Sequence, residues 1–256
     1  MTSDNDDDGD GMPSPFFCAP DRDPAPVLHR RLLSFFNLIP FIGPSGGCTM
    51  AVSILQEVFA GMAYEIVEYG RLSGMQKCQA VDLFLEGFGH MMTFSRDEKK
   101  KRELMSLVFD PFLFRCCVEN GRVLGLLGLA THETRPIDFR RSACVQVFGK
   151  LKGALISRQM NAVFQKPVVR SEDELYIDVL VTGSAARRKG VASALLREAF
   201  AQKGYTVCYL HVFSENRPAI SLYEKHGFTV DKREKLSPMR FLGQGCPVRM
   251  KKVLGS

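Results

Sequence analysis

The stretch ELYIDVLVTGSAARRKGVASALL, residues 174–196, constrains the fold more than any other part of the chain. Its first nine residues are rich in Leu, Ile and Val, the composition of a buried strand. The run stops at Thr-Gly-Ser, and Arg187, Arg188, Lys189 and Gly190 lead into a helical pattern that extends to about residue 203. Strand–helix–strand crossovers of this kind imply a layered sheet protein of the α/β or α+β class. A helix start directs unpaired N–H groups and partial positive charge outward, which makes it a ready anion site. Gly190 leaves the backbone open to close approach, and the three cations add charge around it. The same residues also suit a charged helix start in which the glycine only relieves crowding. Neither GxxxxGK[ST] nor GxGxxG occurs in this turn, so P-loop and dinucleotide-fingerprint sites are excluded there.

The remaining elements follow from periodicity. AYEIVEYG (63–70) reads as a first strand, and helices are predicted over 76–91 and 97–110. Two apolar runs joined by Glu119-Asn120-Gly121 form a hairpin, Asn-Gly being the strongest short-range signal for one. A long basic helical segment, 138–168, comes next, with Phe148, Leu151, Leu155 and Phe164 on it. Strands at 174–182, 205–213, 227–231 and 246–253 and helices at 188–203 and 217–226 complete the pattern.

The first 61 residues differ in kind. Residues 1–60 hold eight Asp/Glu against three Lys/Arg, and the rest of the chain carries eleven more basic than acidic side chains. The acidic, Pro- and Gly-rich opening reads as a disordered tail, with the ordered domain beginning near Met62. Residues 32–55 carry no charge and follow basic residues, as a membrane anchor would. They are broken by Asn37, Pro40, Pro44, Ser45, Gly46 and Gly47, so a partner-binding extension is the expected reading and membrane association the alternative. The eight cysteines show no CxxC pair and no metal-ligand spacing. A reducing, cytoplasmic location without a bound metal is therefore expected. A basic domain points to acidic partners, phosphate-bearing cofactors among them.

The second half of the chain sharpens this reading. LHVFSENRPAISLYEKHGF (210–228) ends a strand, places Asn216 at a turn, runs one short helix and stops at Gly227. Together the two stretches resemble the Gcn5-related N-acetyltransferase (GNAT) superfamily. Arg187-Arg188-Lys189-Gly190-Val191-Ala192 matches its acyl-CoA signature R/Q-x-x-G-x-G/A, with Ala192 in place of the second glycine. Asn216, Ala219, Leu222, Tyr223, Gly227 and Phe228 match its later signature. Ser184 and Thr182 stand where the family often has Pro and Val. The resemblance covers about residues 63–253. It implies a mixed, mostly antiparallel, bent sheet of about seven strands flanked by about four helices, with CoA in a V-shaped opening between two central strands.

The chemistry expected of such a protein is transfer of an acetyl group from acetyl-CoA to an amine. That reaction needs a held carbonyl, a base for the amine and an acid for the leaving thiolate. The resemblance implies that the amides of Leu180, Val181 and Thr182 pair with the pantetheine arm, that Arg187 through Ala192 cradle the pyrophosphate, and that Asn216 touches the cofactor arm. Tyr223 stands where the family places the acid, and a neutral phenol suits that role. Its other reading is a core tyrosine. The base stays open among His211, Asp178, Glu174 and a water relay; His211 stands where the ribosomal-protein N-terminal acetyltransferases of this superfamily carry a glutamate. Asp178 equally suits a pairing partner for a nearby basic group, and Glu174 a solvated strand start. His90, His132 and His226 are expected to be surface or structural.

The expected acceptor is a small-molecule amine, with a protein N-terminus or lysine as second choice. A non-catalytic acyl-CoA-binding module is the competing class. The basic 138–168 segment could cover the cleft, mediate a homodimer or lie on a membrane as an amphipathic helix. No RNP motif, zinc finger or helix-turn-helix pattern speaks for nucleic acid.

Overall fold

The computed structural model describes residues 64–165, 167–233 and 245–255. The expectations for residues 1–61, including the acidic tail and the uncharged 32–55 stretch, lie outside the described residues. Seven strands form one sheet in the order β1-β2-β3-β4-β5-β7-β6. They are β1 (Glu65–Glu68), β2 (Phe114–Glu119), β3 (Arg122–Ala130), β4 (Glu174–Thr182), β5 (Val207–Phe213), β6 (Thr229–Arg233) and β7 (Pro247–Val253). Every neighbouring pair is antiparallel except β4 with β5. The helices are α1 (Gly74–Phe88), α2 (Glu98–Val108), α3 (Arg141–Phe148), α4 (Lys150–Phe164), α5 (Val191–Phe200) and α6 (Arg217–Lys225).

Local chemistry accounts for the boundaries. Ser73 and Gln76 form a reciprocal capping box at the start of α1, and Asp97 caps α2 by accepting from the Lys100 N–H at 3.1 Å. Asn120 (φ 49°) and Gly121 (φ 75°) are both left-handed, the combination a tight hairpin between β2 and β3 requires.

Two cores lie on opposite faces of the sheet. One gathers Phe84, Leu104, Met105, Phe114, Ile137, Phe139 and Ile156 beneath α1 to α4. The other gathers Leu175, Ile177, Leu195, Leu196, Leu210 and Met250 beneath α5 and α6. Cys116, Cys117 and Cys208 are fully buried, and burial pushes their thiols up to about 12, so they pack as small hydrophobes.

The basic 138–168 segment is two helices where the pattern predicts one, and they raise the helix count from the expected four or so to six. Gly149 breaks it, with φ 80° and ψ 169°. A Cβ at Gly153 would overlap the Cys144 carbonyl, so glycine there lets α4 close onto α3. Ser157 Oγ (2.7 Å) and Asn161 Nδ2 (3.2 Å) both donate to the Phe139 carbonyl, which ties α4 to the strand-to-helix connection. Among the described residues no helix is long and apolar enough to cross a membrane.

Candidate active site

The parallel pair β4–β5 sets the geometry. Its pairing runs from Glu174–Val207 to Ile177–Leu210 and then stops, while β4 continues on β3 to Thr182 and β5 continues on β7 to Phe213. The two strands therefore part after Ile177, leaving a wedge between them. Asp178 sits at the branch point. Gly128 pairs with Val179 and Leu129 with Ile177, so Asp178 is the extra residue of a β-bulge. The bulge reverses the facing of the strand: Leu175 and Ile177 belong to the α5/α6 core before it, and Val179 belongs to the α1–α4 core after it.

Past the bulge, the edge of β4 that faces the wedge is open. The Gly183 N–H bonds the Leu124 carbonyl on the β3 side at 3.0 Å. Strand alternation then turns the backbone groups of Leu180 and Thr182 toward the wedge and those of Val181 toward β3. A short 3₁₀ turn, Ser184–Ala186, carries the chain to the basic loop.

That loop has the conformation an anion cradle needs. Arg188 (φ 63°) and Gly190 (φ 85°) are both left-handed, and Arg187, Arg188 and Lys189 are exposed. Gly190 is the N-cap of α5, and no side chain caps that helix. A Cβ built on Gly190 meets nothing within 4 Å, so the space above the backbone is open. The first-turn N–H groups of α5 are left for a ligand or water. Just before β1, the Tyr64 hydroxyl donates to the Lys189 carbonyl at 2.5 Å and holds the loop. Asn216, exposed, caps α6 by accepting the Ala219 N–H at 3.3 Å, so its oxygen is committed to the fold and its amide NH₂ remains.

The titratable groups collect at the branch point. Cys208, Leu210 and Val212 point into the α5/α6 core, which puts His211 on the opposite face of β5. There its Nδ1 lies 2.8 Å from the Tyr176 hydroxyl of β4. Tyr176 is buried, and burial first, then the nearby Asp178 carboxylate, pushes its phenol far above the ordinary range. Arg135 reaches the Asp178 carboxylate with two hydrogen bonds, Nε at 3.1 Å and Nη2 at 2.8 Å, and the two side chains are only 10% and 11% exposed. Burial raises the Asp178 pKa, against the pull of Arg135 and, more weakly, of His211. Asp178 thus acts as the partner of a basic residue, one of its two expected readings.

Tyr223 comes from α6 and packs in the α5/α6 core, its other expected reading, on the face of β5 opposite His211. It is 8% exposed and stacks edge-on against Phe228 with ring centroids 5.8 Å apart. Burial alone pushes its phenol up to about 12, so it holds its proton throughout the physiological range.

Glu174 is not part of this group. Its carboxylate accepts the N–H of Arg170 (2.7 Å) and Ser171 (3.2 Å) and closes the loop leading into β4. It lies four residues before Asp178, about 13 Å along an extended strand. His226 is likewise elsewhere, with Nε2 2.8 Å from Ser193 Oγ between α5 and α6. Sequence reasoning missed Tyr176 and Arg135. Tyr176 carried one usable signal, its place two residues before Asp178 in the same strand; Arg135 is 43 residues from its partner and carried none.

A family model described as the acetyltransferase (GNAT) family matches residues 82–228. Among solved structures, the chain is similar to an N-acetyltransferase from Staphylococcus aureus Mu50 at 15% identity, covering 73% of this chain and 99% of that one with a TM-score of 0.49. A GCN5-related N-acetyltransferase from Kribbella flavida matches at 16% identity, 75% and 99% coverage and a TM-score of 0.49. The ribosomal-protein-S18-alanine N-acetyltransferase from Escherichia coli matches at 15% identity, 75% and 95% coverage and a TM-score of 0.45. No curated protein sequence matches the chain. With both signatures on the elements that line the wedge, and a family model matched over more than half its length, the chain belongs to the GNAT family of acetyltransferases.

Proposed function

We propose that this protein transfers an acetyl group from acetyl-CoA directly to an amine in a ternary complex, a small-molecule amine being the acceptor. The observation that carries the reading is the Tyr176–His211 contact at the branch point where β4 and β5 part. The residues present suit the donor: open backbone groups at Leu180 and Thr182 for the pantetheine arm, the uncapped start of α5 with Arg187, Arg188 and Lys189 for the pyrophosphate, and the Asn216 amide for the arm between them. Bound there, acetyl-CoA supplies a thioester carbonyl, and transfer forms a C–N bond as the C–S bond breaks.

His211 takes the amine proton. With its Nδ1–H donating to the Tyr176 oxygen, the neutral imidazole carries its lone pair on Nε2, which takes the proton while the bond to Tyr176 stays in place. Tyr223 gives its proton to the departing sulfur; a phenol near 12 reprotonates from water after each turnover. Arg135 pairs with Asp178 and keeps that carboxylate from competing with His211 for the proton.

The test is CoA release from acetyl-CoA across a panel of small amines, with peptides bearing free N-termini or lysines as a second panel. His211→Gln and Tyr223→Phe are each expected to lower turnover about 100-fold, the usual worth of a positioned acid or base. Calorimetric binding of acetyl-CoA should persist in both. Binding with no turnover on either panel would make the protein an acyl-CoA-binding module instead.

A further inference from the structure

Helix α4 has an outward face that the acetyltransferase reading does not use. Leu151 is 91% exposed and Leu155 55% exposed. With Arg158 and Ala162 they form one stripe at helical spacing, and all four residues are exposed. The inward face is fully engaged: Ile156 is buried in the α1–α4 core, Met160 and Phe164 pack against it, and Ser157 and Asn161 hold Phe139. The two leucines are therefore not spare core residues on a loosely held helix.

Charge separates around this stripe. Residues 139–171 contain seven Lys/Arg and no Asp or Glu. Lys150, Lys152 and Arg158 flank the leucines on α4 itself. Lys100 of α2 and Lys152 both lie over the Phe148 ring, at 5.8 and 5.2 Å, so cations from two helices converge beside Leu151. This is the pattern of a helix that lies in a membrane interface: a shallow apolar insertion, with long cationic side chains able to reach anionic headgroups.

We propose that the outward face of α4 docks this protein on an anionic lipid surface. Two other occupants fit less well. A second copy of the chain would bring the same uncompensated positive face against itself, and like charges oppose that contact. Nucleic acid would use the cations but would leave the leucines in water. Two leucines one turn apart are a small apolar area for a protein hot spot and enough for shallow insertion beside charge.

The experiment is flotation of the full chain with vesicles of phosphatidylcholine alone and of phosphatidylcholine with about 30% phosphatidylserine. Wild type should float with the anionic vesicles only, and less as salt rises. Leu151→Ser with Leu155→Ser should lower the partition coefficient about tenfold or more, since shallow insertion depends on that apolar area. Lys150→Gln, Lys152→Gln and Arg158→Gln together should lower it about 100-fold, at roughly the increment expected per headgroup-facing cation. These positions point to solvent, and unchanged circular dichroism and acetyl-CoA binding confirm an intact fold. Failure of wild type to bind anionic vesicles overturns the proposal. So does undiminished binding by the leucine variant, which would move the contact to another part of the chain. Capture of a single-stranded oligonucleotide without vesicle binding would assign the charge to nucleic acid and overturn it as well.

Discussion

Replacing Arg135 by Met should destabilise the domain far more than loss of an ordinary surface ion pair. The guanidinium holds Asp178 through two hydrogen bonds at 2.8 and 3.1 Å, and neither side chain is more than 11% exposed. Removing one partner of a pair this deeply buried leaves an uncompensated charge, which costs about 3–5 kcal/mol. For a domain of this size that lowers Tm by about 6–20 °C, at roughly 2–4 °C per kcal/mol. The cost also depends on pH. Burial already raises the Asp178 pKa in the folded state, and loss of Arg135 must raise it further. An acid with a raised folded pKa binds its proton more tightly folded than unfolded. Its penalty is therefore absent below the unfolded value of about 3.9, grows as pH rises above it, and is complete once pH passes the folded value. The deficit of Arg135→Met relative to wild type should shrink as pH falls toward that unfolded value. Asp178→Asn added to Arg135→Met should recover most of it, because no buried charge remains. Thermal melts of wild type, Arg135→Met, Asp178→Asn and the double variant at several pH values close this cycle. A single variant within about 1 kcal/mol of wild type at pH 8, or a deficit that does not change with pH, would refute the claim that a buried charge sits at the bulge.

Tyr176→Phe should lower kcat while leaving the KM for acetyl-CoA unchanged, and should move the acidic limb of the kcat–pH profile, because Tyr176 orients His211 and does not contact the donor; an unmoved profile in steady-state kinetics would count against that role. Gly190→Asp combines a left-handed φ of 85°, which strains any L side chain, with negative charge at the anion site, so acetyl-CoA binding by calorimetry should fall at least 100-fold. Gly153→Ala forces a Cβ into the Cys144 carbonyl and should separate α3 from α4, at a cost of about 1–3 kcal/mol in chemical denaturation.

How legible the molecule was depends on how local each signal is. The hairpin at Asn120-Gly121, β4 at 174–182 and the basic turn were all readable, because each is written in contiguous residues with their own conformational preferences. The break at Gly149 was not. A glycine inside a helical pattern is a weak signal, and its positive φ is set by how α3 and α4 must pack. The site divides in the same way. The cradle and Tyr223 lay in sequence motifs, whereas the partners of His211 and Asp178 come from 35 and 43 residues away. Whether His211 faced the cleft turned on the parity of β5, which its neighbours Leu210 and Val212 decide by entering a core that only the folded sheet defines.

The bulge at Asp178 gives the wedge an unusual kind of encoding. The opening falls where β4 carries one residue more than β3 can pair. Deleting Asp178 would leave Ile177 opposite Leu129 and Val179 opposite Gly128, so the facing of Val179 and Leu180 and the open backbone groups would survive. Deleting Tyr176 instead would move Ile177 out of the α5/α6 core and Asp178 into it. In mutational scanning on an Arg135→Met background, β4 should therefore accept the loss of residue 178 and reject the loss of residue 176.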